Sequence, residues 1–412
     1  MSNRIAITGY AVASPIGCTP SSIVRSLREG KTGLQLTDLG LGQPIWYGRI
    51  HDEFREFAAE ALAQLDGAQA RLAEIEPGLG YGFAVSWEAW RHAQLDSCPP
   101  ANVSRVASTL SSSKGFLRTY LYAHSQMLSS SPSPLVDSGE WLKAFSAETA
   151  GRWMAQKKGF SGPVMATPLA CATGVISLIM AANLIREGVA DVVLAGSAEY
   201  TANVMNLAGF LNMGALSPER TRPFHRNRSG FNAGEGAAAF IVESEGHAQA
   251  RGVQPLAYLV GWDYRSEAYH ITAVEPSGET AEFALRQTLR RAGWQPRDVE
   301  YINAHGTGTP LNDQAEAQVI ERVFGDSCPY VSSLKAHIGH LLGASGSVEL
   351  ALTLAAMGDH FVPPTLGLDE PDPEFQLRFP RPAGEDVRIQ RFMKFSLGFG
   401  GHVAMVALEL AS

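Results

Sequence analysis

Apolar and polar positions alternate along the chain with two periods. Short runs rich in β-branched residues read as strands: residues 5–8 (IAIT), 190–196 (ADVVLAG) and 299–304 (VEYINA). Helical spacing appears between such runs, at residues 21–28 (SSIVRSLR) and in the amphipathic stretch 281–292 (AEFALRQTLRRA). The longest apolar stretch, 175–185 (VISLIMAANLI), is broken by Ser177 and Asn183. It falls short of the roughly 18 residues a membrane helix needs and reads as a buried helix. Strand-like and helix-like stretches that alternate almost throughout predict α/β architecture with covered sheets. Residues 104–136 break the rhythm. They are rich in serine (SSSKG, SSSPSPL) and read as a loop-rich excursion at a contact surface.

The pattern also repeats. GFNAGEGAAAFIVE (230–243) and GFGGHVAMVALE (398–409) each place a Gly-Phe turn before a small-residue strand that ends in Glu. Upstream of each lies a second matching pair. In 164–187 a strand enters a turn carrying Cys171 and then a helix. In 330–357 a strand enters a turn carrying Lys335 and His340 and then a helix of similar length. Two pairs in the same order predict an internal duplication, divided as 1–255 and 256–412, with the strand-to-helix turns of both halves meeting at a shared centre.

Composition narrows the function classes. Charged residues make up 18% and hydrophobic residues 45% of the 412, which predicts a large buried core and excludes disorder. A formal charge of −8 argues against general nucleic-acid binding. The first residues lack a signal peptide's features, and no membrane span is expected. Four separated cysteines (Cys18, Cys98, Cys171, Cys328) with no CxxC pair suit a reducing cytoplasm better than a disulfide framework or zinc site.

Cys171 lies just before an apolar helical run, where backbone N–H groups and the helix dipole stabilise a thiolate. Position alone leaves it either a nucleophile or a buried structural cysteine. His305 (NAHGTGTPLND) and His340 (SSLKAHIGHLLGASG) each follow a strand in a Gly-rich turn, which marks both as candidates for chemistry. His337 and His340 form an HxxH pair without further ligand candidates, so no metal site is expected. GFGG (398–401) is either a mobile turn or a tight one with Phe399 in the core.

At these residues the chain resembles the elongating type II β-ketoacyl-ACP synthases of the thiolase superfamily. The resemblance runs through IAITGYAVASPIG (5–17), ACATGV around Cys171, RPF…RSGFNAGEGAA (222–238), SEAYHIT (266–272), NAHGTGTPLND (303–313), LKAHIGHLLGASGSVE (334–349) and GFGG. It implies the thiolase fold: duplicated βαβαβαββ halves in a five-layer αβαβα sandwich. It also implies a decarboxylative Claisen condensation. Cys171 would carry the acyl chain, His305 and His340 would stabilise the enolate, and Lys335 would support the site electrostatically. Backbone N–H groups of Cys171 and Phe399 would form the oxyanion hole, and Phe399 would be the gate. Thr307 and Thr309 would hold the pantetheine, with Phe231, Gly400 and Gly401 also at the substrate. Glu316 and Glu349 would be structural. The substrates would ride on acyl-carrier protein, with no metal or organic cofactor. The implied assembly is a homodimer, or a heterodimer with a related ketosynthase or chain-length-factor subunit. Arg220, Arg222 and Arg226 are the densest basic cluster and the candidates for docking an acidic carrier protein. The chain departs from the family pattern at Leu169, Phe395, Leu397, His402 and the SSSKGF stretch (111–116), which suggests a specialised substrate. The alternatives are a non-catalytic chain-length factor, which would lack the cysteine, and a thiolase, which the HGTGTP and GHLLGASG motifs fit less well.

Overall fold

The apolar runs form one nine-stranded sheet in a computed structural model that describes residues 4–129 and 133–411. In chain order its strands are β1 (Ile5–Ala13), β2 (Val106–Ser108), β3 (Val192–Glu199), β4 (Gly236–Ser244), β5 (Ala257–Ser266), β6 (Tyr301–Asn303), β7 (Tyr330–Ser332), β8 (Arg391–Gly398) and β9 (His402–Leu410). The helices that matter for the site and its support are α1 (Pro77–His92), α2 (Thr149–Lys158), α3 (Thr173–Arg186), α4 (Val204–Asn212), α5 (Glu279–Ala292), α6 (Pro310–Phe324) and α7 (Ser345–Gly358).

The strand order is β7-β6-β8-β9-β5-β1-β4-β3-β2. A short antiparallel ladder joins β1 to β5, pairing Ile5 with Leu259 and Ile7 with Ala257. Each half then follows the same series outward. In the first, β1 pairs antiparallel with β4, β4 antiparallel with β3, and β3 parallel with β2, beyond which Val164 adds a parallel bridge to Ser108. In the second, β5 pairs antiparallel with β9, β9 antiparallel with β8, β8 parallel with β6, and β6 parallel with β7. The duplication read from the sequence is therefore a duplication of topology.

Packing sorts the elements into five layers. Helices α3 and α7 lie between the two half-sheets, where Val175, Ile179, Val348 and Leu352 share one core with Val193 and Phe240 on one side and Phe392 and Val406 on the other. The outer face of the first half-sheet packs Val192, Leu194 and Ile241 against Phe83 and Trp90 of α1 and Trp153 of α2. The outer face of the second packs Ile302, Met393 and Met405 against Leu285 of α5 and Ile320 of α6. This is the αβαβα arrangement expected of the thiolase fold. Because the strands are covered on both faces, β3 is buried along its whole length and lacks the alternation of a half-exposed strand. In α7 every residue from Ser345 to Met357 is buried, as an inner helix requires.

The central turns match to the residue. A 3-10 turn, Ala170–Ala172, leads into α3, and another, Leu342–Ala344, leads into α7. Ala170 and Leu342, the first residues of these turns, both adopt φ of 49°, a left-handed conformation that non-glycine residues rarely occupy. In each turn a hydroxyl at the start of the following helix accepts a backbone N–H four residues back. Thr173 Oγ1 accepts from Leu169 at 2.9 Å and Ser345 Oγ from Leu341 at 2.8 Å.

Two sequence expectations are corrected here. The strand read at residues 5–8 continues through Gly9 to Ala13. That glycine exists because a Cβ would lie 2.6 Å from the Ala93 backbone nitrogen at the end of α1. The serine-rich excursion is largely ordered and partly interior. Val106–Ser108 is β2, Leu117–Met127 is a helix, and Ser111 and Ser112 are buried. Its serines are tolerated inside because they are satisfied: Ser111 Oγ accepts the Thr167 N–H, and Ser112 Oγ donates to the Gly115 carbonyl. Residues 130–132 of that stretch lie outside the described residues. No described helix is long and apolar enough to cross a membrane.

Candidate active site

The two central turns and the ends of β6 and β8 surround a cavity of about 410 Å³ lined by Cys171, His305, His340, Phe231, Phe399 and both Thr307 and Thr309. Cys171 comes from the turn before α3, His305 from the end of β6, His340 from the turn before α7, and Phe399 from the loop between β8 and β9. Each element ends at the same point because the halves pack their inner helices against each other. The three residues singled out for chemistry are thus brought together from positions up to 169 residues apart (340 − 171).

Cys171 is buried, and the backbone N–H of Phe399 lies near enough to its sulfur to favour the thiolate. The expectation of a stabilised thiolate is overturned. Burial pushes the thiol up to about 11, and the opposing pull of Lys335, Lys114 and the Phe399 N–H does not offset it. Desolvation of a full charge outweighs the few oriented dipoles of the turn. Ser396 Oγ donates to the Cys171 carbonyl at 3.0 Å and ties β8 to the turn.

The rings of His305 and His340 meet edge to face with centroids 5.4 Å apart, and Phe231 packs edge to face on His340 at 5.0 Å. Burial, helped by the positive charge of Lys335, drives both histidines well below the ordinary imidazole range, so both are neutral at physiological pH. His305 Nδ1 is occluded without a partner among the described residues. His340 Nδ1 lies 2.7 Å from Ser345 Oγ.

Lys335 does not line the cavity. It sits beneath it, fully buried, donating to the His305 carbonyl at 2.6 Å and to Glu349 Oε1 at 2.7 Å. The other carboxylate oxygen of Glu349 accepts from a second fully buried lysine, Lys394, at 2.5 Å, and Lys394 also donates to the Ala304 carbonyl at 3.1 Å. Two buried ammoniums on one carboxylate hold consecutive carbonyls of the β6 end, while Glu316 accepts the N–H groups of His305 and Gly306 at 2.6 and 2.7 Å. The backbone of His305 is fixed from both sides. Lys394 and Ser345 were missed in the sequence. A lysine inside an apolar strand (RFMKFSLG) was the available signal for the first.

Thr307 and Thr309 are bonded to each other at 2.8 Å on the cavity wall. Phe210 of α4 lies between Phe231 and Phe399, with centroids 5.4 and 6.4 Å away. Gly401 lines the cavity, whereas Gly400 faces away from it, its N–H donating to the Ile271 carbonyl. His402 lines the cavity with its ring tilted against Tyr264 at 6.2 Å, Leu397 is also in the wall, and Phe395 lies in the core beneath. His337 is bonded to the Lys31 carbonyl and is not in the cavity. Among the described residues no group of three His, Cys, Asp or Glu side chains is placed to hold a metal. The arginines proposed for docking are engaged. Arg222 pairs with Glu219, Arg226 with Glu370, and Arg220 lies over the Trp46 ring.

Comparison with known families matches residues 2–248 to the N-terminal domain and residues 256–369 to the C-terminal domain of beta-ketoacyl synthase. The chain belongs to the β-ketoacyl synthase family. The 3-oxoacyl-[acyl-carrier-protein] synthase 2 of Staphylococcus aureus (strain COL) is 33% identical, covering 98% of both chains. The protein of the same name from Coxiella burnetii is 31% identical over 97% of this chain and 96% of its own. Among solved structures, a beta-ketoacyl synthase from Burkholderia phymatum superposes with a TM-score of 0.87 at 26% identity, covering 100% of both chains. The ishigamide ketosynthase/chain length factor gives 0.88 at 25%, and a type II polyketide ketosynthase in complex with its acyl-carrier protein gives 0.86 at 25%, both with full coverage. This β-ketoacyl synthase is therefore an enzyme that transfers acyl groups, built on the thiolase fold.

Proposed function

We propose that the chain is a β-ketoacyl-[acyl-carrier-protein] synthase that condenses a Cys171-bound acyl group with malonyl-carrier protein, with Cys171, His305 and His340 as catalytic residues. The observation that carries the reading is the convergence of a buried cysteine and two neutral histidines on one cavity, with the Phe399 N–H beside the sulfur. In the first stage the Cys171 sulfur attacks the thioester of an acyl-carrier protein, its proton leaving with the displaced pantetheine thiol. The developing oxyanion takes hydrogen bonds from the Phe399 and Cys171 N–H groups. In the second stage the malonyl thioester loses CO2, and the electron pair left on the α-carbon is delocalised onto the thioester oxygen, which the two imidazoles stabilise. That carbon attacks the Cys171 thioester, and collapse of the tetrahedral adduct releases the β-ketoacyl product and expels the Cys171 thiolate, which takes up a proton from solvent to restore the thiol.

Thr307 and Thr309 hold the pantetheine arm. The GFGG turn, with Phe399 on Phe210, gates the acyl chain. Lys335 acts through the His305 backbone. The proposed domains are 1–255, bearing the cysteine, and 256–412, bearing both histidines and the gate. The chain works with an acyl-carrier protein and as a homodimer, or as a heterodimer with a related subunit such as a chain-length factor, in the cytoplasm. Intact-protein mass spectrometry with acyl-carrier protein tests the reading: one acyl adduct in the native enzyme, none in Cys171→Ala. An adduct at full yield in that variant refutes it.

A further inference from the structure

The two halves use the same hydroxyl in different ways. Thr173 and Ser345 stand at the first position of α3 and α7, and each accepts the N–H four residues earlier. A hydroxyl has one hydrogen left to place. In the first half Thr173 gives it to the Ala170 carbonyl at 2.8 Å. In the second half the remaining polar contact of Ser345 Oγ is His340 Nδ1 at 2.7 Å.

Hydrogen-bond accounting fixes the direction. Ser345 is fully buried, and Leu341 and His340 are the partners of its oxygen among the described residues. If His340 carried its proton on Nδ1 and donated to the serine, the serine hydrogen would be left buried without an acceptor. Leaving a buried polar group of this kind unsatisfied costs its full desolvation with nothing to offset it. If the serine donates instead, every group is satisfied and the imidazole proton resides on Nε2. The depressed basicity of His340 removes the third state, the imidazolium, at neutral pH.

We propose that Ser345 is a positioning residue that locks His340 in the Nε2–H tautomer, so that the ring presents a donor rather than an acceptor to an enolate oxygen. The role in the enolate step rests on the function proposed above; the tautomer does not. A turn-capping role alone would make Ser345 equivalent to Thr173, whose hydrogen goes to backbone. The extra bond to a ring that lines the cavity separates the two.

Neutron diffraction from deuterium-exchanged crystals of the native enzyme reads the tautomer directly. Deuterium on Nε2, with the serine deuterium aimed at Nδ1, is expected, and deuterium on Nδ1 overturns the proposal. In solution, Ser345→Ala should lower CO2 release from malonyl-carrier protein by about 10- to 100-fold. Acylation of Cys171 should change by no more than about twofold, well within the range of a non-reacting group. Ser345→Thr keeps the hydroxyl in a turn whose twin already holds threonine, and should restore decarboxylation. Unchanged CO2 release in Ser345→Ala, or failure of a folded Ser345→Thr to release CO2, overturns the positioning role. Should Ser345→Ala not fold, the neutron map and Ser345→Thr still decide. A native enzyme that releases no CO2 refutes the proposed function, while the map still judges the tautomer.

Discussion

Replacing Glu349 by glutamine should damage the protein more than replacing Lys394 by methionine, although each substitution removes one charge from the same buried cluster. The three side chains are fully buried, with Glu349 between the two ammoniums at 2.7 and 2.5 Å. Glu349→Gln leaves two cations facing a neutral amide whose NH2 must point at one of them. Breaking a buried pair so that charge stays uncompensated costs about 3–5 kcal/mol. Lys394→Met leaves Lys335 and Glu349 as a complete pair and removes one buried ammonium. The loss is the bonds to Glu349 and Ala304, about 1.5–3 kcal/mol for hydrogen bonds to a charged group, offset by relief of desolvation. The double variant should then be more stable than Glu349→Gln alone, since one excess cation is gone. Urea denaturation at fixed protomer concentration reads the order of midpoints. Additive losses in the double variant, or a Lys394→Met midpoint below that of Glu349→Gln, would refute the charge-balance argument. The same cluster gives a sign with pH. Burial pushes Lys394 down to about 8, so from there up to the ordinary lysine value the folded protein binds fewer protons than the unfolded chain. Its contribution is fully present above the unfolded value and is lost as pH falls through about 8. Relative to Lys394→Met, the native protein should gain stability between those limits as pH rises.

Alkylation of Cys171 by iodoacetamide should climb through the neutral range and onward past the titration of an ordinary cysteine, because burial holds the thiol at about 11; a plateau at neutral pH would contradict that protonation state. His305 and His340 stabilise the fold above the unfolded imidazole value, and this stability is lost as pH falls from there toward their depressed folded values. Each should steepen the acid limb by about 1.4 kcal/mol per pH unit, so denaturation of His340→Gln below about pH 6.5 should show a shallower fall than the native enzyme. His402→Thr should change relative kcat/KM among carrier proteins bearing different acyl chains while leaving Cys171 alkylation unaltered, since His402 lies in the cavity wall; identical ratios would assign it to packing alone.

What the sequence made legible follows a physical divide. The convergence of Cys171 with both histidines and the duplication follow from local patterns, a small-residue turn after a strand, and these survive folding unchanged. Charge state does not. The dipole at the start of α3 is local, but the burial that overrides it comes from residues of both halves, so the direction of the Cys171 shift was misread. Lys394 was overlooked for the same reason. A lysine in a strand is costly unless a carboxylate meets it, and its partner Glu349 is 45 residues away. The serine-rich stretch was misjudged because polarity alone does not place a residue outside when its hydroxyl finds a partner within.

The paired turns also show why a symmetric scaffold has a cysteine at only one of its two matching places. Gly343 occupies in the second turn the place that Cys171 holds in the first. A Cβ there would lie 2.5 Å from the Ser113 Cβ and 2.7 Å from a Glu199 oxygen. A cysteine at the matching place is therefore sterically barred, by Ser113 of the serine-rich stretch together with Glu199 of β3. Any attempt to engineer a second cysteine into the other half would have to begin by clearing Ser113 and Glu199, not by rewriting the turn.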